Sequence, residues 1–315
     1  MEKNAVILIV GHGDLMDRVL VSHFRKHGFS RVLSSHELRV DPVNLLPVRV
    51  LIERERPDYV ILTSVRSGGI GANQATPADL IYANLQAQNN VIQLALENRV
   101  KKLLFVGASC VYPKECPQPM KEEYFLTGPF EKTSEPYSVA KAAGIVMCQA
   151  YRKQHGLDAI SMIPATVYGP GQKESIEAAH VLGALVTKFA RAVQEKARAV
   201  SLWGTGEPRR EFLFSEDFAS ACHFLLDHYD GEIPINVGSG MDISIRELAA
   251  MIGEISGFTG EIKWDASKPD GAMRKLLDSS RILATSWKPR FPLIHGLRQT
   301  MGREIGDVSW GQFGR

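Results

Sequence analysis

The sequence predicts an α/β protein: a doubly wound parallel sheet, joined by a smaller α/β part built from C-terminal segments. Three observations carry this. Short apolar, β-branched runs recur through the first half, segments with helical spacing separate them, and the pattern changes after Tyr168-Gly169-Pro170. Strands covered on both faces read as continuous apolar runs, and strand–helix alternation implies parallel pairing with helices on both sides.

In chain order, "AVILIV" (5–10), "YVILT" (59–63), "KLLFVG" (102–107) and "AISMIPA" (159–165) are the expected buried strands. Helical spacing at about 14–27, 43–55, 77–99 and 138–155 supplies the crossovers between them. A further helix is expected near 177–196, then short strands around the Gly/Pro turn of "AVSLWGTGEPRREFLF". Another helix at about 216–228 leads into the strand-to-loop junction "IPINVGSG", and short helices and loops complete the chain. The expected division is a dinucleotide-binding domain of residues 1–168 plus about 209–240, and a substrate-binding domain of about 169–208 plus 241–315.

Composition narrows the classes. At 315 residues, 44% hydrophobic and 23% charged, the chain has an ordinary globular make-up. Thirty-seven Lys and Arg against 35 Asp and Glu leave +2, so no global field points to nucleic acid or a membrane surface. No apolar stretch approaches the roughly 18 residues of a membrane span. The start, "MEKNAVILIVGHG", lacks a small-residue cleavage site, so no signal peptide is expected. Cys110, Cys116, Cys148 and Cys222 are too few and too scattered for a disulfide framework or a cysteine zinc site. A cytoplasmic protein with reduced thiols and no metal is the expectation.

Two motifs carry chemistry. The first strand runs into "VGHGDLM" and a helix, so Gly11 and Gly13 suggest a dinucleotide loop. There a tight turn lets backbone N–H groups and a helix N-terminus meet a pyrophosphate. Asp14 and Asp17 stand where small residues are usual, and Asp14 near phosphates repels them unless it turns outward as a helix cap. In "EPYSVAKAAG", Tyr137 and Lys141 are i and i+4 on one helix face. An ammonium beside a phenol lowers its pKa and suits it to proton transfer. A lone YxxxK pair is common, but this one follows the fourth strand, 27 residues after Cys110.

The set "SGGIGANQATPADLIYANL", "SCVYPK", "EPYSVAKAAGI", "VYGP", "HVLGAL", "WGTGEPRREFLFSEDFA", "NVGSG" and "KPDGAMRKLLD" resembles the extended short-chain dehydrogenase/reductase family nearly end to end. The likeness is to its GDP-L-fucose synthase branch, which epimerises and then reduces a GDP-4-keto-6-deoxy sugar. The resemblance implies a Rossmann-type fold, NADP(H) as cofactor, a GDP-sugar substrate and a homodimer formed through the helices near 77–99 and 138–155. It implies Tyr137 as proton donor to the C4 oxygen, and Lys141 as the holder of the nicotinamide ribose. Cys110 and His180 match the acid/base pair for C3 and C5. Gly11, Gly13, Asp14, Leu15, Met16, Ser35 and Pro164 fall at cofactor positions, while Lys188, Trp203, Arg210 and Lys275 fall at substrate positions.

The departures from the branch are specific. Its catalytic serine falls at position 108, where this chain has Ala108. Ser109 is the nearest hydroxyl, although strand alternation sends neighbouring side chains to opposite faces. Lys188 replaces an arginine and Thr166 an asparagine. The arginine expected after strand two for the NADP 2′-phosphate is missing, and Ser34, Ser35, His36 and Arg39 stand there instead, which leaves NAD(H) open. Two rival readings follow: a reductase or epimerase for another 4-keto sugar nucleotide (a deoxyheptose or dideoxyhexose), or a nucleotide-binding relative with little turnover.

Overall fold

A computed structural model describes residues 1–171, 181–268 and 270–305. The first half runs β1 (Val6–Val10), α1 (Leu15–Lys26), β2 (Arg31–Ser34), α2 (Leu45–Glu55), β3 (Tyr59–Leu62), α3 (Ile70–Ala75), α4 (Pro77–Glu97), β4 (Lys102–Val106), α5 (Glu135–His155), β5 (Ala159–Pro164) and β6 (Thr166–Tyr168). The second half runs α6 (Val181–Gln194), β7 (Ala199–Trp203), β8 (Arg209–Phe214), α7 (Ser215–His228), β9 (Ile235–Val237) and β10 (Asp242–Ser244). It ends with α8 (Ile245–Ser256), β11 (Glu261–Asp265), β12 (Arg274–Lys275), α9 (Ser280–Leu283) and α10 (Leu293–Ile305).

Six parallel strands form the main sheet in the order β2-β1-β3-β4-β5-β9. Every residue of β1 and β5 is buried, which is why both read as unbroken apolar runs. Register aligns the strand ends: Val10 pairs Leu62, Leu62 pairs Phe105, and Phe105 pairs Ser161. The residues just beyond, Gly11, Thr63, Ser64, Gly107 and Ala108, therefore share the carboxyl edge of the sheet. That edge is where ligands bind in open α/β folds.

Helix α5 starts with Pro136 in its first turn and stops at Gly156, whose φ of 70° suits an αL cap. Gly144 lets it lie close to the sheet, since a Cβ there overlaps the Phe105 ring. Helix α4 packs beside it, with Gln88 Nε2 donating to Ala140 O at 3.0 Å.

The expected strands around the Gly/Pro turn exist, but they do not pair with each other. Strand β7 pairs in parallel with β11, while β8 pairs with β6, β10 and β12. The intervening turn is tied elsewhere. Gly204 and Gly206 have φ near +80°, and the Thr205 N–H and hydroxyl donate to Asp270 at 3.0 and 2.7 Å. Around these strands a second apolar cluster forms, including Leu182, Phe189, Phe212, Phe214, Leu248 and Leu297. The helix expected from 177 is described from Val181 onward.

Candidate active site

Helix α5 delivers Tyr137 and Lys141 to the sheet edge one turn apart. Lys141 is 1% exposed, and its Nζ donates to Val106 O at 2.7 Å and Thr63 O at 3.1 Å. Burial pulls its pKa down to about 7, while Cys110, Asp14 and Asp17 pull it back up. Tyr137 Oη lies 2.8 Å from Ser64 Oγ. The expected lowering of the Tyr137 pKa is corrected by the structure. Burial pushes the phenol up, and Lys141 Nζ is spent on two carbonyls 6.0 Å from the ring centroid. The phenol is thus kept in its proton-carrying form, as a donor to a carbonyl oxygen requires.

Beyond β4, Ala108 stays extended (φ −155°, ψ 149°) and Ser109–Val111 form a single 3₁₀ turn. The turn lifts Ser109 off the strand, so simple alternation no longer decides its direction. Cys110 sits in that turn against α5. Burial raises its pKa, and the Ser138 hydroxyl, Lys275 and Lys141 lower it, in decreasing order. Cys110 is in turn among the groups whose charge acts on Tyr137, Lys141 and Lys275. His180 lies outside the described residues.

The cofactor loop is built as expected in path and differently in bonding. Gly13 has φ +78°, and a Cβ on it overlaps the His36 ring; a Cβ on Gly11 overlaps Thr63 Oγ1 and the Asp17 carboxylate. Asp14 caps α1, its carboxylate accepting from the N–H of Met16 at 3.0 Å and of Asp17 at 3.4 Å. Of the two alternatives the sequence left open, Asp14 is a helix cap, and its carboxylate occupies the anion position at the helix N-terminus. Asp17 is 1% exposed beneath the loop and accepts from Gly13 N–H at 2.5 Å and from Thr63 Oγ1 at 2.6 Å. Burial, then Asp14, raises the Asp17 pKa to about 7. Leu15 is buried, Met16 half-buried, and Pro164 closes β5 opposite Val237. Ser35 is buried and hydrogen-bonded at 3.2 Å to both Gly11 N–H and Gly11 O, so it braces the loop from below.

The four substrate candidates fall into two groups. Lys275 in β12 pairs with Arg210 in β8, and Lys275 is the member whose charge lowers the Cys110 pKa. Arg210 is anchored by bonds from Nη1 to Ala272 O (2.6 Å) and Arg209 O (2.8 Å). Further out, Trp203 is 72% exposed, with Lys188 Nζ 6.0 Å and Lys268 Nζ 5.7 Å from its ring. An open aromatic face flanked by two ammonium groups suits a base with its phosphates.

Two contributors escape the sequence. Ser64 carries no motif; only the fold brings its hydroxyl to Tyr137 from 73 residues away. Glu211, 3% exposed, accepts from Gly240 N–H at 2.7 Å and Leu277 N–H at 2.9 Å, tying the "NVGSG" loop to the Lys275 segment. Its carboxyl is pushed up to about 7 by burial.

The chain matches the NAD dependent epimerase/dehydratase family over residues 7–238. It is 46% identical over 307 residues to GDP-L-fucose synthase 1 of Arabidopsis thaliana, covering 98% of this chain and 95% of the relative. Identity to the GDP-L-fucose synthase of Escherichia coli K12 is 39% over 307 residues, covering 93% and 94%. Among solved structures, GDP-mannoheptose C4 reductase from Campylobacter jejuni with NADP bound superposes with a TM-score of 0.87 at 35% identity, covering 96% of this chain and 99% of that one. This chain therefore belongs to the NAD dependent epimerase/dehydratase family and, within it, to the group of the GDP-L-fucose synthases.

Proposed function

We propose that the protein epimerises C3 and C5 of a GDP-4-keto-6-deoxy sugar and then reduces C4 with NADPH. The observation that carries this is the placement of Tyr137 and Lys141 at the carboxyl edge of the sheet, with Cys110 in the turn that follows β4. The C4 ketone acidifies the C–H bonds on either side of it. One group takes a proton and another returns one to the opposite face, inverting the carbon. Cys110, kept as a thiol by burial, suits the returning role; His180 is assigned as its partner on the resemblance alone. For reduction, Tyr137 donates its phenolic proton to the C4 oxygen, and Lys141 orients the nicotinamide ribose from its buried position.

The residues at the strand edge fit a dinucleotide at the nicotinamide end, and the Gly11–Gly13 turn has the cradle shape. At the pyrophosphate, Asp14 has to leave the helix N-terminus. NADP(H), when bound, supplies the hydride. Arg210, Lys275, Lys188 and Trp203 take the diphosphate and base. We assign a cytoplasmic setting and a homodimer through α4 and α5, where Tyr82, Val139 and Val146 are exposed. A second reading, reduction of a GDP-heptose, is favoured by the Campylobacter structure.

The test is NMR of the purified protein with GDP-4-keto-6-deoxymannose in deuterated buffer. Deuterium at C3 and C5 without cofactor, then GDP-fucose on adding NADPH, is the expected result. Absence of both exchange and product turns the assignment to another sugar nucleotide.

Ser64 gives a narrower prediction. Its hydroxyl orients the phenol, so Ser64→Ala is expected to slow NADPH oxidation up to about 10-fold, the effect of one neutral hydrogen bond. Deuterium exchange at C3 and C5 is expected to stay unchanged. Equal loss in both assays removes Ser64 from the reduction step.

A further inference from the structure

We propose that His23, His27 and His223 form a three-histidine zinc site between α1 and α7, with Asp227 holding His223 from its other ring nitrogen, apart from the sugar-nucleotide chemistry. His23 and His27 are i and i+4 at the C-terminal end of α1; His223 and Asp227 are i and i+4 on α7. The two helices pack against each other, which brings the three histidines together and sets Asp227 behind His223. A ligand atom from each of the three histidines lies within 4.8 Å of the other two. His23 Nε2 and His223 Nδ1 are 3.1 Å apart, and His223 Nε2 is 3.5 Å from Asp227 Oδ2. Tetrahedral zinc, with bonds of about 2.0–2.1 Å, sets its ligand atoms about 3.3 Å apart, so side-chain rotations of modest size bring the three imidazole nitrogens onto one ion.

The surroundings match those of a ligand set. His27 Nδ1 is 2.8 Å from His23 O, so it donates there and leaves Nε2 for the metal. Histidine ligands are held by such outer partners. The Met1 ammonium pairs with Asp227 Oδ1 and leaves Oδ2 facing His223. The His223 ring is wedged by Phe24 and Phe29, at 5.0 and 5.3 Å between centroids. An N–H···N bond explains the His23–His223 pair, and His223 Nε2 explains the carboxylate behind it, but neither explains the third ring. Three imidazoles, one of them backed by a carboxylate on its other nitrogen, suit tetrahedral zinc or cobalt with water in the fourth position.

The charges nearby divide. The C-terminal end of α1 favours a cation, whereas Lys3, Lys26, Arg290 and the Met1 ammonium oppose one. The site therefore calls for micromolar probes. His23 lies roughly 14 Å along α1 from Asp14, at about 1.5 Å per residue, so metal and cofactor do not compete.

The experiment uses the full chain, stripped with chelator and dialysed, then titrated with Co²⁺ and separately with Zn²⁺. The expected results are one equivalent of Co²⁺ with the intense visible bands of tetrahedral coordination, and a melting temperature raised by Zn²⁺ by about 2–4 °C. Both are expected to vanish in His27→Ala and His223→Gln. His27 is exposed, so His27→Ala keeps the metal-free melting temperature and separates loss of a ligand from loss of fold. No tetrahedral bands, or bands that persist in both variants and so arise from thiols such as Cys110 or Cys116, overturn the proposal.

Discussion

An Ala108→Ser chain is expected to reduce its 4-keto sugar about 10²-fold faster than the native chain, or more, with deuterium exchange at C3 and C5 unchanged. The reason is the number of donors at the carbonyl. As hydride arrives at C4, negative charge gathers on the oxygen, and each preorganised donor in a dry site is worth roughly 10²–10³ in rate. Tyr137 supplies one such donor, with Ser64 committed to holding it. Position 108 supplies none. Its backbone is already extended at the end of β4, and Gly107 N–H is fixed at 2.7 Å from Met162 O, so a serine enters a framed strand end. In the proposed mechanism, exchange at C3 and C5 depends on Cys110 and its partner and takes place before hydride arrives. Single-turnover NADPH oxidation measures the reduction, and NMR measures the exchange. An unchanged reduction rate places residue 108 away from the carbonyl; a parallel rise in exchange means that serine repacks the pocket around Cys110 instead.

That contrast shows how far the sequence is readable. β1, β3, β4 and β5 were legible because both faces of each are covered, which leaves the runs around Ile7–Ile9 and Leu103–Phe105 uninterrupted. Tyr137 and Lys141 were legible because helical spacing is local. The partner of the phenol was not: Ser64 reaches it only through the sheet order, and a serine after a strand has no pattern of its own. The same holds for β7 and β8. Adjacent in sequence, they pair instead with β11 and with β6, β10 and β12, and the turn between them is held through Thr205 by Asp270. At the cofactor loop the letters Asp14 and Asp17 marked a departure. Their directions, one over the helix end and one beneath the loop, needed the fold.

Those two directions set the largest expected change in cofactor affinity. Asp14→Gly is expected to lower the dissociation constant for NADPH about 10-fold or more, because the native carboxylate holds the Met16 and Asp17 N–H groups that a pyrophosphate needs. Hydrogen bonds to charged groups are worth about 1.5–3 kcal/mol, and glycine at an N-cap costs only a few tenths. Asp17 acts through its proton. With its pKa raised to about 7, it is neutral below that pH and an anion above it, so the phosphates are repelled more as pH rises. Lys141, lowered to about 7, loses its charge over the same interval and weakens the nicotinamide end in the same sense. NADPH affinity in the native chain is therefore expected to fall as pH climbs from about 6.5 to 8.5, by several-fold for each group. Asp17→Asn, which keeps an acceptor for Gly13 N–H or Thr63, is expected to flatten part of that slope and leave the part due to Lys141. Asp14→Gly is expected to lower the dissociation constant along the whole curve and, by removing a charge that helps raise the Asp17 and Lys141 pKa values, to move the fall in affinity to lower pH. Fluorescence titration of NADPH across that range, with NADH in parallel to separate the 2′-phosphate, reads both effects. A native curve that does not vary with pH removes Asp17 from the phosphate site. An Asp14→Gly curve that overlies the native one shows that Asp14 swings clear of the helix end at negligible cost.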